Sequence, residues 1–292
     1  MKSANNWKDF EIIASGGGEK LERWGSVFLL RPDPQAIWRA RGDLSKFDAK
    51  YTRSSAGGGS WSGKMPKEWV IKYSPLERRG GTEGDGVVYK FIISPMNFKH
   101  TGLFPEQAVN WDRVSGIIKK DATVLNLFGY TGGATVACAK AGAVVTHVDA
   151  SKGMVEVCKR NCKLNNLPET SVRFIVDDCI KFVERELRRG KKYDAIIMDP
   201  PSFGRGASGE VWKIEEHLDY LVGKCCELLS DKPLFFLINS YTTGLQPTVM
   251  KNVLEMSLRG TKQSSIIEAY EIGLPTNEGI VLPAGCSALA IF

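Results

Sequence analysis

The sequence predicts an α/β fold: a doubly wound parallel sheet with helices on both faces, joined to a smaller β-rich N-terminal module. Three observations predict it. From about residue 121 onward, apolar runs of strand length alternate with stretches of helical period. Residues 1–95 instead hold short β runs separated by glycine-rich turns. The chain has 292 residues and 32.2 kDa, with 43 % hydrophobic and 25 % charged residues. That is enough for two compact domains and too apolar for a disordered chain. The expected division is a 1–95 module, a candidate for substrate recognition, and a 96–292 domain.

In the first part the expected strands are Phe10–Ala14, Val27–Leu30, Trp69–Tyr73 and Val87–Ser94. The turns between them are Ser15–Gly18, Ala56–Ser60 and Arg79–Gly86, and a short helix is expected after Asp33-Pro34. In the second part the expected strands are Thr123–Phe128, Ala143–Asp149, Ser171–Val176, Tyr193–Asp199 and Pro233–Asn239. Helices are expected over 151–165, where Met154, Val155, Cys158 and Cys162 share a face, and over 179–189. Another is expected over 213–229, where Ile214, Leu218, Leu221, Cys225, Leu228 and Leu229 do so. Two final β runs, Ser264–Gly273 and Ala288–Phe292, flank a turn-like Leu282-Pro283-Ala284-Gly285 and are expected to close the sheet edge as an antiparallel pair.

Composition excludes several classes. No apolar run reaches the ~18 residues of a membrane-spanning helix, and Met1–Ile13 lacks the apolar stretch of a secretory signal. Seven cysteines without a CxxC pair argue against disulfide scaffolds and zinc ribbons, so reduced thiols and a cytoplasmic location are expected. The first 120 residues hold 20 Lys and Arg against 13 Asp and Glu, whereas the remainder holds 19 against 20. Six of the seven tryptophans (Trp7, Trp24, Trp38, Trp61, Trp69 and Trp111) also fall in that first part. Cations suit phosphates and rings suit bases, so RNA is one expected partner, with Arg39, Arg41, Lys46 and Arg53 on the basic side. The other reading of the same residues is a tryptophan-filled β core with a solvated charged face.

In a doubly wound sheet, ligands bind at the carboxyl ends of the strands. Asn126-Leu127-Phe128-Gly129-Tyr130-Thr131-Gly132-Gly133 follows the first strand, and its glycines permit a tight turn and a close backbone approach. It is not GxGxxG, which argues against a nicotinamide enzyme. The second strand ends at Asp149, which suits a ribose diol or a helix cap. The third ends at Asp177-Asp178-Cys179, where a carboxylate suits an adenine amine or, again, a cap. The fourth ends at Asp199-Pro200-Pro201-Ser202-Phe203-Gly204, a stiff exit with one carboxylate, fixed carbonyls and a ring. The glycine-rich 204–209 stretch beyond it is a candidate flexible closure.

Together these motifs resemble the class I S-adenosylmethionine-dependent methyltransferases. The lead-in Phe98-Lys99-His100-Thr101-Gly102-Leu103-Phe104-Pro105-Glu106-Gln107 resembles that of the bacterial 23S ribosomal RNA cytosine-C5 branch and its relatives. The likeness runs from about residue 85 to the end. It implies a Rossmann-like seven-stranded sheet and S-adenosyl-L-methionine as cofactor, with no metal required. By the resemblance, Asn126, Phe128, Gly129, Tyr130, Thr131 and Gly132 would hold the methionine part, Asp149 the ribose, and Asp177 and Asp178 the adenine. Thr101, Phe104 and Gln107 would lie over the cofactor, while Asp199, Pro200, Pro201 and Phe203 would face the methyl and its acceptor.

Carbon-5 methylation of a pyrimidine needs a covalent nucleophile, normally a cysteine thiolate. The two places where the branch carries it hold Ser202 and Asn239-Ser240-Tyr241 here. Direct transfer to a nucleophilic atom of an RNA base is therefore expected. The alternatives are a small-molecule or protein acceptor, or a non-catalytic module that binds cofactor or RNA.

Overall fold

A computed structural model describes residues 1–54, 58–75, 87–96, 99–205, 209–259, 261 and 265–292. The turn read at Arg79–Gly86, Ala56 and Gly57 of the preceding turn, Phe98 of the lead-in, Gly206–Ser208 and Ser264 lie outside the described residues. The chain forms two compact units, Met1–Val109 with Ile272–Ala284, and Asn110–Glu271 with Gly285–Phe292. The boundary expected at residue 95 falls instead after residue 109, and a segment from far along the chain joins the first unit.

The first unit is built on β2 (Phe10–Gly16), β3 (Glu19–Trp24), β4 (Val27–Pro32), β5 (Ala49–Arg53) and β6 (Gly59–Gly63), hydrogen-bonded in that order. All neighbours are antiparallel except β4 and β5, which run parallel. A separate hairpin pairs β7 (Trp69–Tyr73) with β8 (Tyr89–Ile93), and β1 (Lys2–Ser3) runs parallel to Ile272 and Gly273. Phe10, Ile12, Leu21, Trp24, Leu29, Ile71, Tyr73 and Phe91 are buried, each worth about 1.5–3 kcal/mol. Four indoles brace the unit by donating to backbone carbonyls: Trp7 to Pro105 (2.9 Å), Trp38 to Ser15 (3.0 Å), Trp61 to Met96 (2.9 Å) and Trp69 to Trp24 (3.0 Å). The tryptophans therefore act first as structural members. Glu278 ties the 272–284 segment in place: its carboxylate accepts from the amides of Ser15 (2.8 Å), Gly42 (2.9 Å) and Arg41 (3.2 Å).

The second unit carries β9 (Thr123–Leu127), β10 (Val144–Asp149), β11 (Val172–Val176), β12 (Ala195–Met198) and β15 (Phe235–Ser240), which together with the long strands β16 (Ile266–Pro275) and β17 (Val281–Ile291) take the order β16-β17-β15-β12-β9-β10-β11. The five from β11 to β15 are parallel, and β17 runs antiparallel to β15. This is the doubly wound, Rossmann-like sheet of seven strands, to which the two-residue β1 adds an eighth. Helices α1 (Ala108–Ser115), α2 (Gly133–Lys140), α3 (Lys152–Leu164), α4 (Cys179–Arg188), α5 (Ile214–Glu227) and α6 (Pro247–Leu258) complete the fold, and a short hairpin pairs β13 (Phe203–Arg205) with β14 (Val211–Lys213). One cluster of apolar side chains from β9, β12, β15, α4, α5 and α6 fills the face that carries Leu125, Ile196 and Phe236. None of the described helices is long and apolar enough to cross a membrane.

Two expectations are corrected. No helix follows Pro34: Asp33 accepts from the Gln35 amide (3.0 Å) and its carbonyl accepts from Ala36 (3.1 Å), a local turn that competes with helix formation. Leu282-Pro283-Ala284-Gly285 is not a turn but lies inside β17, and the chain reverses at 276–280 instead. Proline is tolerated there because the pairing of β17 with β15 begins only at Cys286, so Pro283 owes no amide to that ladder.

Candidate active site

The parallel register brings the sequence motifs to one edge of the second unit. Ile175, Val148, Leu127, Met198 and Ile238 form a single row across five strands. One residue further along each strand stand Val176, Asp149, Phe128, Asp199 and Asn239. The strand-end residues read from the sequence therefore converge at the carboxyl edge.

The turn after β9 is tightly folded. Its amides close on neighbouring carbonyls, Gly129 on Val148 (3.0 Å) and Gly132 on Gly129 (3.0 Å). Phe128 (φ 53°) and Tyr130 (φ 51°) adopt left-handed backbone without being glycine, at a cost of about 1–3 kcal/mol each. A Cβ on Gly129 would stand 2.4 Å from the His147 ring, and one on Gly132 (φ 87°) 2.2 Å from Cys158 Sγ. Below the turn runs a buried polar column. Asn126 Nδ2 donates to Thr135 Oγ1 (2.9 Å), which lies 2.9 Å from His147 Nδ1, and Cys158 Sγ lies 3.5 Å from the same nitrogen. Asn126 is thus buried in the support of the turn. Burial holds His147 down to about 4, so the column contains a neutral ring. Thr131 is also buried, and its carbonyl accepts from Asn161 Nδ2 (2.9 Å).

Asp149 binds the turn directly. Oδ2 accepts from the Tyr130 amide and Oδ1 from the Ser151 amide, both at 2.8 Å. Each oxygen keeps a second lone pair for an incoming hydroxyl. Burial raises its pKa despite both amides, so donors brought by a ligand would stabilise the carboxylate. Asp149 is not the cap of α3; Ser151 is. Asp178 does cap α4, accepting from Lys181 through Oδ1 (3.0 Å). Asp177 accepts from the Asp178 amide (2.9 Å) and pairs with Arg185.

The Asp199-Pro200-Pro201 exit leads straight into the β13–β14 hairpin. Trp212 Nε1 donates to the Pro201 carbonyl (2.6 Å), and its ring packs on Phe128 at 4.9 Å and stacks on His217 at 5.6 Å. The Pro201 carbonyl is therefore oriented by a bond within the protein, which occupies one of its two lone pairs. Phe203 is 53 % exposed. The hydroxyls of Ser202 and Thr242 meet at 2.7 Å, which joins the exits of β12 and β15. Sequence reasoning missed Trp212 as the brace of this exit; the available signal was its position as the one tryptophan outside the N-terminal part. It also missed Cys286, which pairs across from Ser240. Its thiol donates to the Leu245 carbonyl (3.4 Å), and burial pushes it up to about 11. All seven cysteines are buried.

Thr101, Phe104 and Gln107 belong to the first unit. Thr101 and Gln107 are buried, and Thr101 Oγ1 has no hydrogen-bond partner among the described residues. The Phe104 ring lies 5.2 Å from that of His100. Among the described residues no group of three or more His, Cys, Asp or Glu is arranged to hold a metal ion.

A glycine turn beside a carboxylate held by two amides thus stands at the carboxyl edge of a doubly wound sheet, the edge where such folds bind ligands. Residues 67–242 match the family model of S-adenosylmethionine-dependent methyltransferases, and the chain belongs to that family. A SAM-dependent methyltransferase from Agrobacterium tumefaciens is similar along nearly the whole length: 33 % identity, TM-score 0.88, covering 99 % of this chain and 92 % of that one. A methyltransferase solved in complex with SAH shares the fold at 18 % identity and TM-score 0.75, covering 98 % and 76 %. Ribosomal RNA large subunit methyltransferase I of Tolumonas auensis is 31 % identical over 75 % of this chain and 54 % of its own length. Ribosomal RNA large subunit methyltransferase K of Neisseria meningitidis serogroup B is 28 % identical over 79 % and 66 %. The chain spans about half the length of the first curated relatives it matches. The chemistry of the residues present fits S-adenosyl-L-methionine: each Asp149 oxygen accepts from one amide and has a lone pair left for a hydroxyl.

Proposed function

We propose that this methyltransferase acts on a base in RNA, in the cytoplasm, by direct transfer without a covalent enzyme intermediate. The observation that carries the direct route is that all seven cysteines are buried, six of them on helices and Cys286 inside β17. Burial raises Cys138 and Cys226 to about 12, where a thiolate nucleophile is scarce. The RNA acceptor is supported by the names of the curated relatives and by the basic N-terminal part.

When bound, S-adenosyl-L-methionine supplies a methyl group already activated on a sulfonium. The Phe128–Gly132 turn holds its methionine part, Asp149 its ribose diol, and Asp178 its adenine through the oxygen that does not cap α4, with Asp177 held aside by Arg185. Asp199 and the Pro200 carbonyl orient the acceptor atom, and Phe203 or Tyr241 stacks on its ring. The protein's contribution is alignment and exclusion of water.

Labelled methyl from S-adenosylmethionine should appear in the RNA fraction of cells lacking the enzyme, and not in protein or small molecules. Label confined to either other fraction refutes the RNA reading. RNA containing 5-fluorocytosine should form no denaturation-stable adduct with the protein; a stable adduct would establish a covalent route.

A further inference from the structure

Within the first unit, Lys99 and His100 sit in a positive field that the described residues only partly compensate. The β3–β4 register pairs Arg31 with Lys20 and Leu29 with Glu22, which places Lys20, Glu22 and Arg31 on one face. Arg31 grips Glu22 with two hydrogen bonds, Nε to Oε2 (2.5 Å) and Nη2 to Oε1 (2.7 Å). Lys20 Nζ lies 3.4 Å from Glu22 and 3.0 Å from Asp33. These two cations and two carboxylates neutralise one another. Glu106 is buried against Lys20 and Arg31, and burial raises its pKa.

The segment carrying Lys99 is fastened to this face at two points. Arg31 Nη1 donates to the Lys99 carbonyl (2.7 Å), and Trp61 Nε1 donates to the Met96 carbonyl (2.9 Å). The β5–β6 register pairs Tyr51 with Trp61 and Arg53 with Gly59, so Arg53 shares the face of Trp61. The charges acting most strongly on His100 are Arg31, Lys99, Lys20 and Arg53, all cations. Those acting on Lys99 are Lys20, Arg31 and Arg53, opposed by Asp33. Among the described residues no ion pair joins Arg53, Lys99 or His100 to a carboxylate. Burial, then this repulsion, lowers the Lys99 pKa and holds His100 at about 4. The half-buried Lys99, crowded by further cations and without a carboxylate partner among the described residues, is unfavourable in isolation and favourable once an anion enters.

We propose that Arg53 and Lys99, with the neutral His100 ring as an N–H donor, form a site for a backbone phosphodiester of the acceptor RNA, a proposal that rests on the RNA reading above. A guanidinium fork and an ammonium match the non-bridging oxygens of a phosphate. The half-buried Trp61 ring, fastened to the Met96 carbonyl on the same face, suits stacking of an adjoining base.

The test compares the full chain with the Arg53→Ala/Lys99→Gln double variant. Binding of a labelled single-stranded RNA is followed by anisotropy across salt concentrations, and binding of S-adenosylhomocysteine by calorimetry. Each phosphate contact contributes about 0.7 to the logarithmic salt slope for single strands, so losing two should flatten it by about 1.4. The expected result is weaker RNA binding with that flatter slope and unchanged S-adenosylhomocysteine affinity. Equal RNA affinity and slope in both proteins overturns the site while leaving the RNA reading intact. Loss of S-adenosylhomocysteine affinity with RNA binding unchanged assigns the cations to the cofactor carboxylate and overturns it too. Absence of RNA binding by the unmodified protein at low salt defeats the RNA reading, and the site with it. Arg53→Ala alone, at an exposed position, should still flatten the slope by about 0.7 if the double variant fails to fold.

Discussion

Asp149 illustrates how one side chain can be both structural and ready for a ligand. Its two backbone amides fix the turn, while burial leaves the carboxylate short of donors. Replacing it with alanine should weaken S-adenosylhomocysteine binding by about 1–3 kcal/mol, the scale of a lost hydrogen bond to a charge. Calorimetry reads this directly, and unchanged affinity would remove Asp149 from the ribose role. Asparagine keeps one acceptor oxygen for the turn and should fall between. At this scale the sequence showed which residues stand at strand ends. It did not show how each is already occupied, because occupancy depends on partners distant in the chain. The Pro201 carbonyl, taken by Trp212, is one such case. Asp199 should split the kinetics: Asp199→Asn is expected to lower turnover far more than cofactor affinity, as for an interaction realised in the transition state. Equal losses in both would assign it to the cofactor alone.

The turn between β9 and α2 is the element on which the site depends. Its geometry is set from beneath by His147 and Cys158 as much as by its own glycines. Gly129→Ala should cost about 1–3 kcal/mol of stability by overpacking against the His147 ring. In a double-mutant cycle with His147→Ala the combined loss should fall short of the sum by more than about 0.5 kcal/mol. Strict additivity in denaturant unfolding would show that the two do not meet. The parallel strands were legible to within a residue or two, because β9, β12 and β15, buried on both faces, read as continuous apolar runs. Strands β3, β5 and β6 escaped the same reading. Glu22 in β3 is buried and the half-buried Lys20 beside it is paired, with Arg31 and Asp33 as their partners, so this face leaves no apolar trace. Strands β5 and β6 carry Lys50, Thr52, Arg53, Ser60 and Ser62, and their pairing is decided by each other and by β4 rather than by composition.

For the molecule as a whole, the buried His147 and the half-buried His100 make stability depend on pH. His147 lies in one unit and His100 in the other, and burial holds both at about 4 from an ordinary 6.5. The unfolded chain takes up these protons first, so stability is complete above pH 6.5 and declines as pH falls toward 4. His147 alone should cost the protein roughly 2 kcal/mol by pH 5 relative to pH 7. Denaturant unfolding at the two pH values measures it, and His147→Gln should shrink the difference; an unaltered difference would place the sensitivity elsewhere. The segment Ile272–Ala284, held to Ser15, Arg41 and Gly42 through Glu278, bears on how the chain is made. A ribosome delivers residues in order, so the first unit, begun at residue 1, waits for almost the last part of this sequence before it can close. Strand β17 imposes the same delay on the second, since β15 meets its antiparallel neighbour only from Cys286 onward. Neither unit can finish early and shelter while the other is being synthesised. A nascent chain of this protein therefore exposes unclosed sheet edges until the 272–291 segment has been synthesised, the interval in which chaperones would be most needed.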